Sequence, residues 1–348
     1  MAAAPLNNCT AARILTKSLP LHLIRHLQIL LCIITLIFFF LNIEKPWRSK
    51  DATPRSRLRF HTNLKIVVGV ASVFYVLHSL AVITTRVPYV ITFYFDFVSD
   101  CSYQIVAWKC LSFRIPIYIS IVGFTFFHLA LCIERAVATF FLETYEKHHG
   151  VFGIFAAIIM FLGAVVCNFY IFYEEDFSAL KSYCMSTTTT SARKLLFVIN
   201  CLTFFDVFTT IGDFILLQVN KSQSKKKTVS NYTLRKAYQL RENKISIRLI
   251  FPLSVTHSAT FSLYLLLTTV QRTFFADVDS LTYASMVDSI HLIVCMNTLL
   301  TLALFYYLKK KLEAQISQSD RETRINSNHQ TDVYFEQFQR QINRRTTT

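Results

Sequence analysis

Of the 348 residues, 53% are hydrophobic and only 16% charged, against roughly 25% charged in an average soluble domain, which disfavours a globular enzyme. Six Gly and seven Pro exclude collagen-like chains and Gly-rich phosphate loops. A net charge of +15 would suit nucleic acid, but the basic residues lie between long apolar runs, so the composition reads as an integral membrane protein with no nucleic-acid partner.

Residues 1–20 mix small, polar and basic side chains and lack the apolar core and cleavage site of a signal peptide; they read as an extracellular N-terminal segment. Seven apolar stretches follow, at about residues 22–43, 64–85, 112–133, 150–173, 195–217, 249–271 and 281–308. Each is long enough, at ~1.5 Å per residue, to cross a hydrocarbon layer of about 30 Å. Amides in lipid must be bonded within their own segment, so the stretches must be helices. The expected fold is an all-α membrane protein, a seven-transmembrane-helix bundle over residues 21–308.

The first and fifth connections and the tail are rich in Lys and Arg (Lys45 to Lys65, Lys221 to Arg248, Lys309 to Arg345), the third carries Arg135 and Lys147, and the alternate connections are poor in them. The positive-inside rule then places the N-terminus outside and the C-terminus in the cytoplasm. The same basic residues suit anionic membrane lipid. Asn8-Cys9-Thr10 would be an outer glycosylation sequon, and Asn231-Tyr232-Thr233 an inner, silent one. After the seventh span, Leu308, Leu312 and Ile316 repeat every four residues among lysines, predicting a short amphipathic helix on the membrane. The polar remainder from Ser317 predicts disorder.

Five of the nine Cys fall within spans; Cys9, Cys101, Cys110 and Cys184 lie on the oxidising side. A bridge between Cys110 and Cys184 would pin the loop between the fourth and fifth spans over the bundle. Cys101 with Cys110 is the rival pairing, and spacing alone does not choose. Glu134-Arg135 at the inner end of the third span can form a local ion pair that breaks when a neighbouring helix moves. Tyr238-Gln239-Leu240-Arg241-Glu242-Asn243 runs without Gly or Pro into the sixth span and reads as its helical extension, with Pro252 as a kink or hinge just inside. Ionisable residues at membrane depth are site candidates. Asp206 and Asp213 share nearly one face of the fifth span, and Asp288 and His291 are three apart on the seventh and can touch. Asp206, Asp288 and His291, with Tyr264 as a wall, are the candidate ligand pocket. His78, His128 and His257 read singly, each as an interhelical hydrogen-bonding group. No phosphate loop, His-Glu-x-x-His, Cys-x-x-Cys or Gly-x-Ser-x-Gly occurs, so neither catalysis nor a metal or other cofactor is expected.

Four stretches carry a family likeness: Phe60-His61-Thr62-Asn63-Leu64-Lys65-Ile66, Cys110-Leu111-Ser112-Phe113-Arg114-Ile115-Pro116, Glu134-Arg135-Ala136-Val137-Ala138-Thr139 and Tyr238 to Asn243 continuing to Leu253. In that order and at those span boundaries, the chain resembles the nematode serpentine chemoreceptors, most of all class alpha/beta, with classes alpha and beta as close relatives. The resemblance implies a plasma-membrane receptor of sensory neurons that binds a small-molecule ligand and activates a heterotrimeric G protein. It also implies Cys110–Cys184 as the disulfide and Glu134-Arg135 as the acid-arginine switch. The seventh span lacks the Asn-Pro-x-x-Tyr motif of rhodopsin-like receptors and offers only Asn297 and Tyr306-Tyr307. The competing readings are a seven-helix ligand-gated channel of inverted topology and, third, a small-solute transporter, whose paired broken helices are not seen in this sequence.

Overall fold

The computed structural model describes residues 8–43, 61–97, 99–141, 150–184, 188–225 and 234–346. Asn231 and the His148-His149 pair lie outside the described residues, as do the side chains of Asn8 and Tyr238. Eight α-helices are described: α1 (Asn8–Lys17), α2 (Leu19–Ile43), α3 (Thr62–Phe93), α4 (Ala107–Phe140), α5 (Val151–Phe172), α6 (Thr189–Lys225), α7 (Leu234–Phe274) and α8 (Ser280–Thr346). By length and composition, α2 to α8 are seven helices able to cross a membrane. Phe169 and Phe204, 71% and 67% exposed, typify their outer faces. Such an aromatic surface suits hydrocarbon and would aggregate in water.

The helices outrun the apolar stretches. Helix α3 has 32 residues, about 48 Å at 1.5 Å each, and so carries Arg86 and Pro88 inside a span that composition ends at Thr85. Pro88, Pro116 and Pro252 sit within α3, α4 and α7, whose helices continue through them. In the tail, α8 runs on to Thr346. No Gly or Pro interrupts it, and Gln318 donates to Glu322 at 3.1 Å, four residues on.

Packing forms a closed ring in which α2 touches α3, α3 touches α4, α4 touches α6, α6 touches α7, α7 touches α8, and α8 returns to α2; α5 lies outside against α3 and α4. Helix α4 is central: 61% of its apolar window is buried, against 22% for α2 and for α5. The main core gathers Phe74, Tyr75, Ile117, Phe124, Phe261 and Leu265 around it.

From residue 8 on, the N-terminal segment is helical. Cys9 is bonded to Cys101 in a 3₁₀ turn (Asp100–Tyr103) after α3. Arg13 reaches Asp100 at 3.2 Å, and Lys17 Nζ donates to the carbonyls of Phe93 and Phe95 at 2.8 and 2.7 Å. The Lys17 bonds occupy carbonyls where α3 ends, groups that a helix C-terminus leaves without intrahelical partners.

At the other end of the bundle, Asn63 Oδ1 accepts from the Gly153 amide at 3.1 Å. That amide is in the first turn of α5 and has no partner within its own helix. The approach is so close that a Cβ on Gly153 would stand 2.8 Å from the Asn63 carbonyl oxygen, whereas one on Gly69 would meet nothing within 4 Å among the described residues. Gly153→Ala is therefore expected to destabilise the bundle by about 1–3 kcal/mol. Gly69→Ala should be neutral or stabilise by up to about 1 kcal/mol. Thermal unfolding in detergent checks both.

Candidate functional site

Short strands β1 (Ile105–Val106) and β2 (Leu180–Lys181) pair antiparallel and bring the loop after α5 onto the start of α4. Beside them Cys110 is bonded to Cys184, with Cα atoms 5.2 Å apart. Tyr89 Oη accepts from the Cys184 amide at 2.8 Å, and Arg114 Nη1 donates to the Cys184 carbonyl at 3.3 Å. Glu175 anchors the same loop, accepting from Lys181 at 2.8 Å and from the Thr188 hydroxyl at 3.1 Å. Burial opposes ionisation of Glu175, but Lys181, Ser191 and Thr188 outweigh it and hold the carboxyl at about 2.

The tethered loop inserts Tyr183 into the bundle. Its hydroxyl donates to Asp288 Oδ1 at 2.5 Å, and Arg86 Nη2 stands 2.7 Å from the same oxygen. Arg25 Nε donates to Asp288 Oδ2 at 3.3 Å, while Gln28 Nε2 donates to the Asp288 carbonyl at 2.6 Å. The Arg25 guanidinium lies 4.5 Å from the centre of the Tyr89 ring, in cation–π range. Asp288 and Arg86 are 0% exposed and Arg25 1%. Burial and the Asp288 charge raise the Tyr183 phenol far above its ordinary value, so it stays protonated and donates. Two guanidiniums thus share one carboxylate where α2, α3, α8 and the loop meet.

This arrangement splits the candidate pocket. Asp288 faces Arg25, Arg86 and Tyr183, whereas His291 Nε2 faces His78 Nε2 at 3.4 Å, so the expected contact between the two is replaced by other partners. Tyr264 and His291 do share a cavity, with Tyr118, Thr268, Gln271 and Arg272, but it measures only about 20 Å³. That is room for about one water molecule. Asp206 belongs elsewhere: its Oδ1 pairs with His128 Nδ1 at 2.9 Å, in a deeper cluster with Asp213, Ser254 and His257. Arg25 and Arg86 are not legible as site residues from composition, because they stand at the margins of the first two apolar stretches, Arg25 in the first turn of one and Arg86 just past the end of the other. Their signal is the length of the helices that carry them.

At the far end of α4, Glu134 and Arg135 are 0% and 3% exposed. Arg135 makes a bidentate pair, Nε to Glu134 Oε2 and Nη2 to Glu134 Oε1, both at 2.5 Å. Its Nη1 reaches Asn243 Oδ1 on α7 at 3.5 Å, and Asn243 Nδ2 donates back to the Ala138 carbonyl at 2.8 Å. From α6, Asn220 Nδ2 donates to Thr139 Oγ1 at 3.0 Å. Of the polar segment before the sixth span, Asn243 turns inward, while Arg241 is exposed and Glu242 half-buried. Above this lock lies a cavity of about 340 Å³ lined by residues of α3, α4, α7 and α8, among them Tyr75, His128, His257 and Lys309.

Seven spans, a disulfide-tethered loop at one end and an acid-arginine lock at the other define a serpentine receptor fold. The chain belongs to the family of serpentine type 7TM GPCR receptor class ab chemoreceptors, whose family model matches residues 6–343. It is similar to serpentine receptor class beta-17 of Caenorhabditis elegans, 22% identical over 249 residues, covering 70% of this chain and 64% of that protein. Serpentine receptor class alpha-39 of the same organism is 22% identical over 178 residues, covering 50% and 46%. The matched stretches therefore span less than two thirds of the length of these relatives.

Two predictions test the disulfide end. Asp288→Asn leaves two buried guanidiniums without their carboxylate and is expected to cost about 3–5 kcal/mol, read by unfolding in detergent micelles. For Glu175, a carboxyl depressed in the folded state stabilises fully above its ordinary value of 4.5 and ceases to do so as pH falls toward about 2. The melting temperature of the natural chain should exceed that of Glu175→Gln at neutral pH, and the gap should close across that window.

Proposed function

We propose that the chain is a chemosensory receptor, not an enzyme, that binds a small-molecule cue at its disulfide end and activates a heterotrimeric G protein at its Glu134-Arg135 end. Family membership supports the class, and the distribution of basic residues supports the direction, with the lock facing the cytoplasm. The observation that carries the mechanism is the triple contact of Arg135, Glu134 and Asn243, which joins the third span to the sixth.

In this reading the structure holds the inactive arrangement. Outward movement of α7 withdraws Asn243 from Arg135 and from the Ala138 carbonyl. Arg135 can then exchange Glu134 for a partner on the G protein, an alternative of similar energy because each arrangement satisfies the guanidinium. A ligand promotes this only by binding the open arrangement more tightly. The ligand meets the disulfide-tethered loop at Tyr183. The plasma membrane of a sensory neuron fits the family resemblance.

A test needs no ligand. Asn243→Ala removes the tie from α7 and is expected to raise ligand-independent nucleotide exchange several-fold in membranes supplied with a panel of G proteins. Adding Arg135→Ala should abolish that exchange while surface expression stays near normal. Exchange that persists in the double variant would count against the assignment.

A further inference from the structure

We propose that His128, Asp206 and His257 form a binding site for a divalent transition-metal ion of the zinc type, joining the third, fifth and sixth spans. Each residue offers one ligand atom, and the three atoms lie within 4.8 Å of one another. His128 Nδ1 is 2.9 Å and His257 Nε2 is 3.6 Å from Asp206 Oδ1. Bonds of about 2.05 Å in a tetrahedral shell separate neighbouring ligand atoms by roughly 3.3 Å, so the two distances stand on either side of the required edge. Two imidazoles and a carboxylate are a donor set for zinc and its neighbours, not for calcium or magnesium.

A second observation points to a missing ligand. His257 is 4% exposed, and neither of its ring nitrogens has a hydrogen-bond partner among the described residues. A buried polar group left this way is costly, and Nε2 faces the Asp206 carboxylate. The surroundings are those of a supported metal shell. Asp213 Oδ2 lies 3.0 Å from His128 Nε2, so it can accept the proton there and leave the Nδ1 lone pair for the ion. Ser262 Oγ donates to Asp206 Oδ2 at 3.1 Å and leaves Oδ1 for coordination.

Charge arithmetic agrees. Both nitrogens of His128 face carboxylate oxygens. Without a metal, hydrogen bonds to both require the imidazolium, and two carboxylates against one imidazolium leave one negative charge uncompensated inside the bundle. A divalent ion with both imidazoles neutral balances Asp206 and Asp213. His128, Ser254 and His257 line the cavity of about 340 Å³, which supplies a path and an open fourth position. Lys65 and Lys309 line the same cavity and slow the entry of a cation, so binding is read after overnight equilibration.

Binding does not depend on the receptor reading, and the experiment measures it directly. The full chain, purified in micelles and stripped with chelator, is equilibrated with Zn²⁺, and metal per chain is counted by mass spectrometry. In parallel it is loaded with Co²⁺ and its visible absorption recorded. One Zn²⁺ per chain and the intense ligand-field bands of four-coordinate cobalt are expected. His257→Gln and Asp206→Asn should each weaken binding at least tenfold and abolish the bands. Asp213→Asn should weaken it by about 10–100-fold, and Ser258→Ala should leave it unchanged. Zinc that survives His257→Gln, and so sits at another histidine, would overturn the proposal. So would a monodisperse natural chain that binds none. Should the variants fail to fold, the cobalt spectrum of the natural chain decides, and absence of four-coordinate bands counts as refutation.

Discussion

Hydrocarbon offers no hydrogen bond, and each polar atom in this bundle must therefore find its partner in the protein. Small hydroxyls solve the problem locally. Ser79, Ser120, Thr209 and Thr268 each donate to the carbonyl four residues back along their own helix. Most buried charged groups instead find partners on other helices. Arg25, Arg86 and Asp288 meet near the disulfide end, and His128, Asp206 and Asp213 meet deeper. The closed ring of α2, α3, α4, α6, α7 and α8, with α4 its most buried member, is the arrangement that lets them meet.

The two clusters carry opposite imbalances. Near the disulfide end two guanidiniums face one carboxylate, and deeper in the bundle two carboxylates face His128, with His257 beside one of them. Neither imbalance improves stability, since buried ionic groups are commonly no better than well-packed apolar ones of the same volume. Each joins different helices across the bundle. Tyr183 extends the upper cluster to the loop held by Cys110–Cys184, so a group that displaces Tyr183 acts on Asp288 and through it on α2, α3 and α8.

The lock at the other end follows the same rule with fewer members. Glu134 satisfies Arg135 within one helix, which frees Asn243 to make a contact that is easily broken. The pair with Glu134 lies within α4, whereas the 3.5 Å bond to Asn243 crosses to α7. This division between a durable and a labile contact gives the third and sixth spans a hinge of low cost in the proposed switch.

Amino-acid order alone determined the number of spans, because a run of about twenty apolar residues has one stable form in lipid. It also marked Glu134-Arg135 and the four cysteines of one side, since each is read from its place beside a span. The partners of those groups were decided only in three dimensions. Cys9 with Cys101, Asn243 against Arg135 and Tyr183 on Asp288 join residues 92, 108 and 105 positions apart. His128 and His257 each looked like a solitary imidazole, yet packing of α4 against α6 and α7 sets both beside Asp206. Periodicity fixes which face of a helix is polar; the rotation and depth at which helices pack decide which polar faces meet, and those follow from contacts distributed over the whole bundle.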